Sequence, residues 1–257
     1  MSNLVPHNPI PDVDAALDAL ARRYRQAGGF GIEALNMVGG QAENLLERLP
    51  APVRSRLDTA TAQALRAAFD VAHLSRGGRI PDGTGWQNTL VTGAMGAAGG
   101  LGGLPTALAE LPVTVTVLLR AIQGIAASHG FDPADPAVRA ASVQVFAAAG
   151  PLARDDGADL GFVATRVTLT GPALNGLIAR VAPRLAAALG QKLAAQTVPV
   201  LGAVAGAATN MAYTRYYQQI AHVQFGLMNL SRDSNIPLEE LNERLRRRLE
   251  RRIPLRS

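Results

Sequence analysis

The chain is 257 residues long, 48% hydrophobic but only 4% aromatic, with a formal net charge of +5 and no cysteine. A length at the upper end for one domain, with so little aromatic surface, requires a core of aliphatic and small side chains; the absence of runs rich in Val, Ile, Thr and aromatics excludes a strand-based fold. Disulfide frameworks and thiolate chemistry are excluded outright, and a modest charge concentrated in seven arginines between 244 and 256 argues against nucleic acid as a partner.

Residues 1–11, with Pro6, Pro9 and Pro11, read as an extended arm. MSNLVPHNPIPDVD has neither a basic start nor an apolar run, so no cleaved secretory signal is expected and the default location is the cytoplasm or the inner face of the membrane. From Asp12 onward the pattern is that of a single all-α domain, 12–257. Asp12 caps a helix over 13–27, with Leu17, Leu20 and Tyr24 on one face and Gly28–Gly29 as its stop. A second helix covers 32–48, ending before Pro50. The third, 52–74, turns Leu57, Leu65, Phe69 and Ala72 inward and Arg56, Asp58, Arg66 and Asp70 outward.

A loop at 75–86 leads into 84–109, which carries no charge and crowds six glycines into 93–103. Pro105 opens a helix that Pro112 kinks or restarts, reaching Ser128 and stopping at Gly130. Asp135–Pro136 opens the next helix, closed by Gly150. After a loop at 151–160, helices follow at 172–182 and 184–196 with Pro183 between them. A long helix spans 198–230, and a basic amphipathic helix begins at Pro237 within the last segment, 237–257.

Gly96 and Gly100, and likewise Gly99 and Gly103, lie four apart and give a helix face almost without side chains; Gly202 and Gly206 do the same on a second uncharged stretch, 193–214. Such faces let backbones touch, and the pair of stretches predicts a Gly/Ala-rich central hairpin. Each glycine in a helix costs about 1 kcal/mol relative to alanine, which close packing or a ligand must offset. Either stretch is long enough to cross a bilayer, but Gly, Ala and Thr make both weakly apolar.

Glu110 and Arg120 bracket the aliphatic run PVTVTVLL; a carboxylate there is met either by backbone groups that Pro112 frees or, as a polar anchor, by lining an apolar site. Asn210, Thr214, Gln218 and His222 recur every fourth residue and form one stripe, with Arg215 and Gln219 beside it. Tyr213, Tyr216 and Tyr217, with Arg215, follow an uncharged stretch and resemble an interfacial aromatic belt or, alternatively, a passage from core to surface. His7, His73 and His129 stand at no metal-ligand spacing to His222, and no phosphate-loop, dinucleotide or GxSxG pattern occurs. No cofactor, no metal and no catalytic residue is therefore expected from local sequence. In the last helix Leu238, Leu241, Leu245 and Leu249 share a face. Its arginines, among them Arg244, Arg247, Arg248 and Arg251, suit either solvent or an anionic membrane surface.

The run TGAMGAAGGLGGLPTALAELPVTVTVLLRAIQGIAASHGF, 92–131, resembles the signature region of the EcsC family: a Gly-rich segment, an acidic-Leu-Pro step and an aliphatic helix with Arg-Ala-Ile. NMAYTRYYQQIAHVQF, 210–225, resembles that family's second block, and the match in order spans roughly residues 50–230. The resemblance implies a helical fold and a membrane-transport context, with a membrane transporter as one partner; it transfers no catalytic residues. The combined expectation is a protein that binds a lipid or other apolar small molecule through Gly96, Gly100, Glu110, Arg120, Asn210, Thr214, Tyr217, Gln218 and His222. Two alternatives stay open: a membrane-inserting or pore-like helical hairpin, and a lipid-acting hydrolase whose site assembles only in three dimensions.

Overall fold

In the computed structural model the described residues are 12–37, 47, 49–75, 111–148, 171–196 and 202–250. Among them are seven α-helices and one 3-10 turn, with no strand: α1 (Val13–Met37), α2 (Ala51–Ser75), α3 (Leu111–Ser128), α4 (Pro136–Gln144), α5 (Gly171–Gln196), α6 (Gly202–Ser234) and α7 (Leu238–Glu250). The all-α expectation holds. The glycine-rich half of the predicted hairpin, with the first residues of the helix expected from Pro105, lies outside the described residues; the part restarting at Pro112 and reaching Ser128 is α3.

Local signals placed most helix ends correctly. Asp12 Oδ1 accepts the amide of Ala15 at 3.0 Å, and Asp135 Oδ1 accepts that of Ala137 at 2.7 Å with Pro136 in the first turn. Each satisfies a donor that the first helical turn leaves without an intrahelical partner. At the end of α3, Gly130 takes φ +78°, which a side chain would resist. There the amide of Phe131 bonds back to Ala126 O at 3.0 Å and that of Gly130 to Ala127 O at 2.9 Å. Asn235, at φ 55°, ends α6 in the same left-handed conformation, and Pro237 follows.

Several boundaries differ from the sequence reading; α6, expected to end at 230, runs on to Ser234, and residues 32–37, expected to open a second helix, belong to α1. Gly28 and Gly29 do not stop α1, which runs on to Met37. Leu17, Ala21, Tyr24 and Ala27 form one buried row that leads up to the glycines, which are both exposed and weaken the helix by about 1 kcal/mol each without ending it. Pro183 does not separate two helices but sits inside α5. Pro183 and Ala179 are both exposed, so water can take the carbonyl that the proline leaves without its N–H. The helix opened by Asp135 stops at Gln144 rather than at Gly150, tightening into a 3-10 turn, Val145–Ala147. Arg184 of α5 donates to Ala147 O at 3.1 Å and so closes the turn with a charged donor.

The long helix α6 is the axis of the fold. It packs against α1, α3, α5, α7 and the 3-10 turn, while α2 lies across α3 and α5. At Gly226 a Cβ would stand 2.7 Å from Cδ2 of Leu20, so the Leu20 side chain of α1 packs over a position of α6 that has no side chain. Leu57, Leu65 and Phe69 of α2 are buried and Arg56, Asp58 and Arg66 exposed, as the periodicity required. Helix α3 is long and apolar enough to cross a membrane, the single such helix among the described residues, with mean hydropathy 1.5. Just over half of it is buried inside the domain, with Leu111, Val115, Leu118, Leu119 and Ile122 in the core, while Val113 is 53% exposed.

Candidate functional site

Helix α6 carries the polar side chains in graded burial. Asn210 and Thr214 are buried, with the Thr214 hydroxyl donating to Asn210 O at 2.8 Å, whereas Gln218 and His222 are half-buried. The stripe thus leads from the interior toward the surface. The three tyrosines beside it do not form a surface belt. Tyr213, Tyr216 and Tyr217 are all within 2% of full burial, because α6 is covered on several sides by other helices.

Their polar ends are treated differently. Tyr213 donates to Ala188 O of α5 at 2.8 Å. The hydroxyl of Tyr217 has no hydrogen-bond partner among the described residues, although its side chain is wholly buried. Its ring meets Phe146 of the 3-10 turn edge-on at 5.2 Å and Tyr216 at 5.2 Å. Burial pushes both phenols well above the usual tyrosine range, and for Tyr213 the neighbouring Tyr217 and Tyr216 add to it, so each remains a neutral donor.

At the outer end of the stripe, His222 meets a residue that sequence spacing had set aside. His129, at the end of α3, places Nε2 3.0 Å from His222 Nδ1, with the ring centres 5.3 Å apart. Asn229 donates through Nδ2 to His129 O at 3.0 Å and lies 3.4 Å from His129 Nδ1. Phe131 and Phe225 meet next to this pair at 5.7 Å, and the Arg232 guanidinium stands 5.3 Å from the Phe131 ring centre. Burial, then the positive charge of Arg23 on α1, lowers both histidines; for His222, to about 4, the neighbouring His129 contributes as well. The available signal was the recurrence of His-x-Phe at 129–131 and His-x-x-Phe at 222–225. One pair lies at a helix end and the other inside a helix, and only the fold brings them together.

Of the remaining expected site residues, Arg120 is half-buried on α3, the helix that packs against α6. Gly96, Gly100 and Glu110 lie outside the described residues, as does Arg251. Among the described residues no group of three or more His, Asp or Glu side chains is placed to hold a metal ion.

The C-terminal helix is docked. Leu238, Leu241 and Leu245 are buried and Leu249 packs on the same core. Arg248 bonds Asp18 of α1 at 3.0 Å and also Asp14. Glu243 accepts two bonds from Arg246, at 3.0 and 3.1 Å, and these hold its carboxyl below the usual range. Arg244 pairs with Glu240 and Arg247 with Glu243. Within α7 four arginines are matched by four glutamates, so the positive excess of this end lies beyond Glu250.

Neither the curated proteins nor the solved structures hold a match to this chain. A family model, that of the EcsC protein family, matches residues 35–227, from the last residues of α1 to the last turns of α6 and thus across α2 to α5. With three quarters of its length covered by that match, the chain belongs to the EcsC protein family.

Proposed function

We propose that this protein binds an apolar ligand with a polar end, a lipid or fatty-acid-like molecule, at the cytosolic face of the membrane. In this reading the ligand lies beside α3 and α6. The observation that carries the reading is Tyr217: a neutral donor, sealed among aromatic and aliphatic side chains, with no acceptor among the described residues. Leaving such a donor unmet costs about 1–3 kcal/mol, which the acceptor atom of a bound molecule would recover. Two features support the same reading. The polar stripe from Asn210 to His222 runs along the helix that holds Tyr217, and α3, the most apolar described helix, packs beside it. A peripheral rather than inserted protein fits the burial of α3 and of Asn210–Thr214 within the domain, Met211 being partly exposed.

Replacing Tyr217 with phenylalanine separates this role from a structural one. The melting temperature should stay level or rise slightly, because the hydroxyl makes no bond to lose. Binding of oleate, followed by isothermal titration calorimetry, should weaken about tenfold, which corresponds to roughly 1.4 kcal/mol for one hydrogen bond to the ligand's carboxylate. Equal oleate affinity in both proteins, or none in the wild type, would overturn the reading.

A further inference from the structure

The contact between His129 and His222 admits one arrangement of protons. An amide nitrogen only donates, so Asn229 Nδ2, which bonds His129 O at 3.0 Å and faces His129 Nδ1 at 3.4 Å, requires that ring nitrogen to accept. The proton of His129 then sits on Nε2 and is donated across 3.0 Å to His222 Nδ1, leaving the His222 proton on Nε2. All three contacts are met only while both rings are neutral. A second proton, on His222 Nδ1, would set two N–H groups head to head. Shifting the His129 proton to Nδ1 would relieve that clash and create another with the Asn229 amide.

The charged groups around the pair offer an added proton no welcome. Arg23 of α1 acts on both rings and disfavours positive charge. On α6, Arg232 lies toward Phe131 and pairs with Asp233 at 3.2 Å, and Asp132, after the end of α3, is held by the amide of Ala134 at 2.8 Å. No ion pair among the described residues includes either ring. We propose that His129 and His222 form a proton-operated clasp, which ties the end of α3 to α6 when neutral and releases the His129–Phe131 turn on acidification. The inference rests on the α3–α6 contact alone and does not require the ligand reading.

The sign follows from linkage. Both rings bind protons less readily in the fold than the ordinary 6.5 of an unfolded histidine, so the folded state holds fewer protons. The contribution of the clasp is therefore complete above pH 6.5, shrinks as pH falls below it, and stops changing near the lowered value of about 4 for His222.

The test compares melting temperatures of the wild type and His222→Gln at pH 7.5 and pH 5. Glutamine keeps a neutral hydrogen-bonding side chain that does not titrate. The wild type should lose several degrees more than the variant over this interval; parallel losses would overturn the clasp. Imidazole NMR of the wild-type protein gives an answer that needs no variant. Both rings should carry their proton on Nε2 at pH 7.5, resist protonation at pH 6, and on protonation show faster amide exchange at Phe131 and Phe225. Rings that titrate near 6.5 with amide exchange unchanged would contradict the proposal.

Discussion

Ending the chain after Pro237 is expected to unfold most of the population at 37 °C, or to lower the melting temperature by at least 10 °C. The removed helix buries Leu238, Leu241 and Leu245 and ties itself to α1 through Arg248 with Asp14 and Asp18. Burying one leucine is worth about 1.5–3 kcal/mol, so three contribute roughly 5–9 kcal/mol as an upper bound. Whole domains are stable by only about 5–15 kcal/mol. The ion pairs add far less, since the Asp14 and Asp18 side chains are 78% and 59% exposed. A melting curve by circular dichroism checks this. Flotation of both proteins on anionic vesicles separates docking from membrane anchoring. A stable truncated protein that no longer floats would make the basic helix a membrane anchor instead.

Phe146→Ala should cost about 3–5 kcal/mol, the range for deleting a fully buried aromatic ring. For a chain of this size that lowers the melting temperature by roughly 6–20 °C. Phe146 has no exposed surface, packs edge-on against Tyr217, and stands in the 3-10 turn that touches α5 and α6. The cavity left behind would open beside the Tyr217 ring. Phe146→Leu, which keeps most of the volume, should recover more than half of the loss in thermal melts. A loss under 1 kcal/mol for the alanine variant would mean that the turn repacks freely and is no fixed wall.

What could be read from the sequence divides along the range of the interactions involved. Asp12, Asp135, Gly130 and Asn235–Pro237 mark helix ends through bonds to residues at most five positions away, so local sequence carries the information. The inward faces of α1 and α2 were legible for the same reason, through a period of 3.6 residues. Gly28–Gly29 and Pro183 misled because helix breakers carry a finite local cost, about 1 kcal/mol for each exposed glycine, and solvent beside Ala179 meets the carbonyl that Pro183 leaves free. Tyr213, Tyr216 and Tyr217 read equally well as a belt or a core, since one helix does not reveal how many neighbours cover it.

The candidate site was half legible. The stripe along α6 followed from spacing alone, and Tyr217 lay in the same run. Its missing acceptor depends on Phe146 and the surrounding elements, which no spacing encodes. His129 and His222 lie 93 positions apart and meet only because α3 and α6 pack together. The approach of Leu20 to Gly226 is likewise a property of the α1–α6 pair.

The most direct test of the proposed ligand is native mass spectrometry of the full-length protein purified without detergent, before and after organic extraction. The account predicts a fraction of the protein carrying one extra mass in the lipid range, removed by extraction and restored by incubation with oleate. A single mass equal to that of the bare chain in all three samples would contradict it.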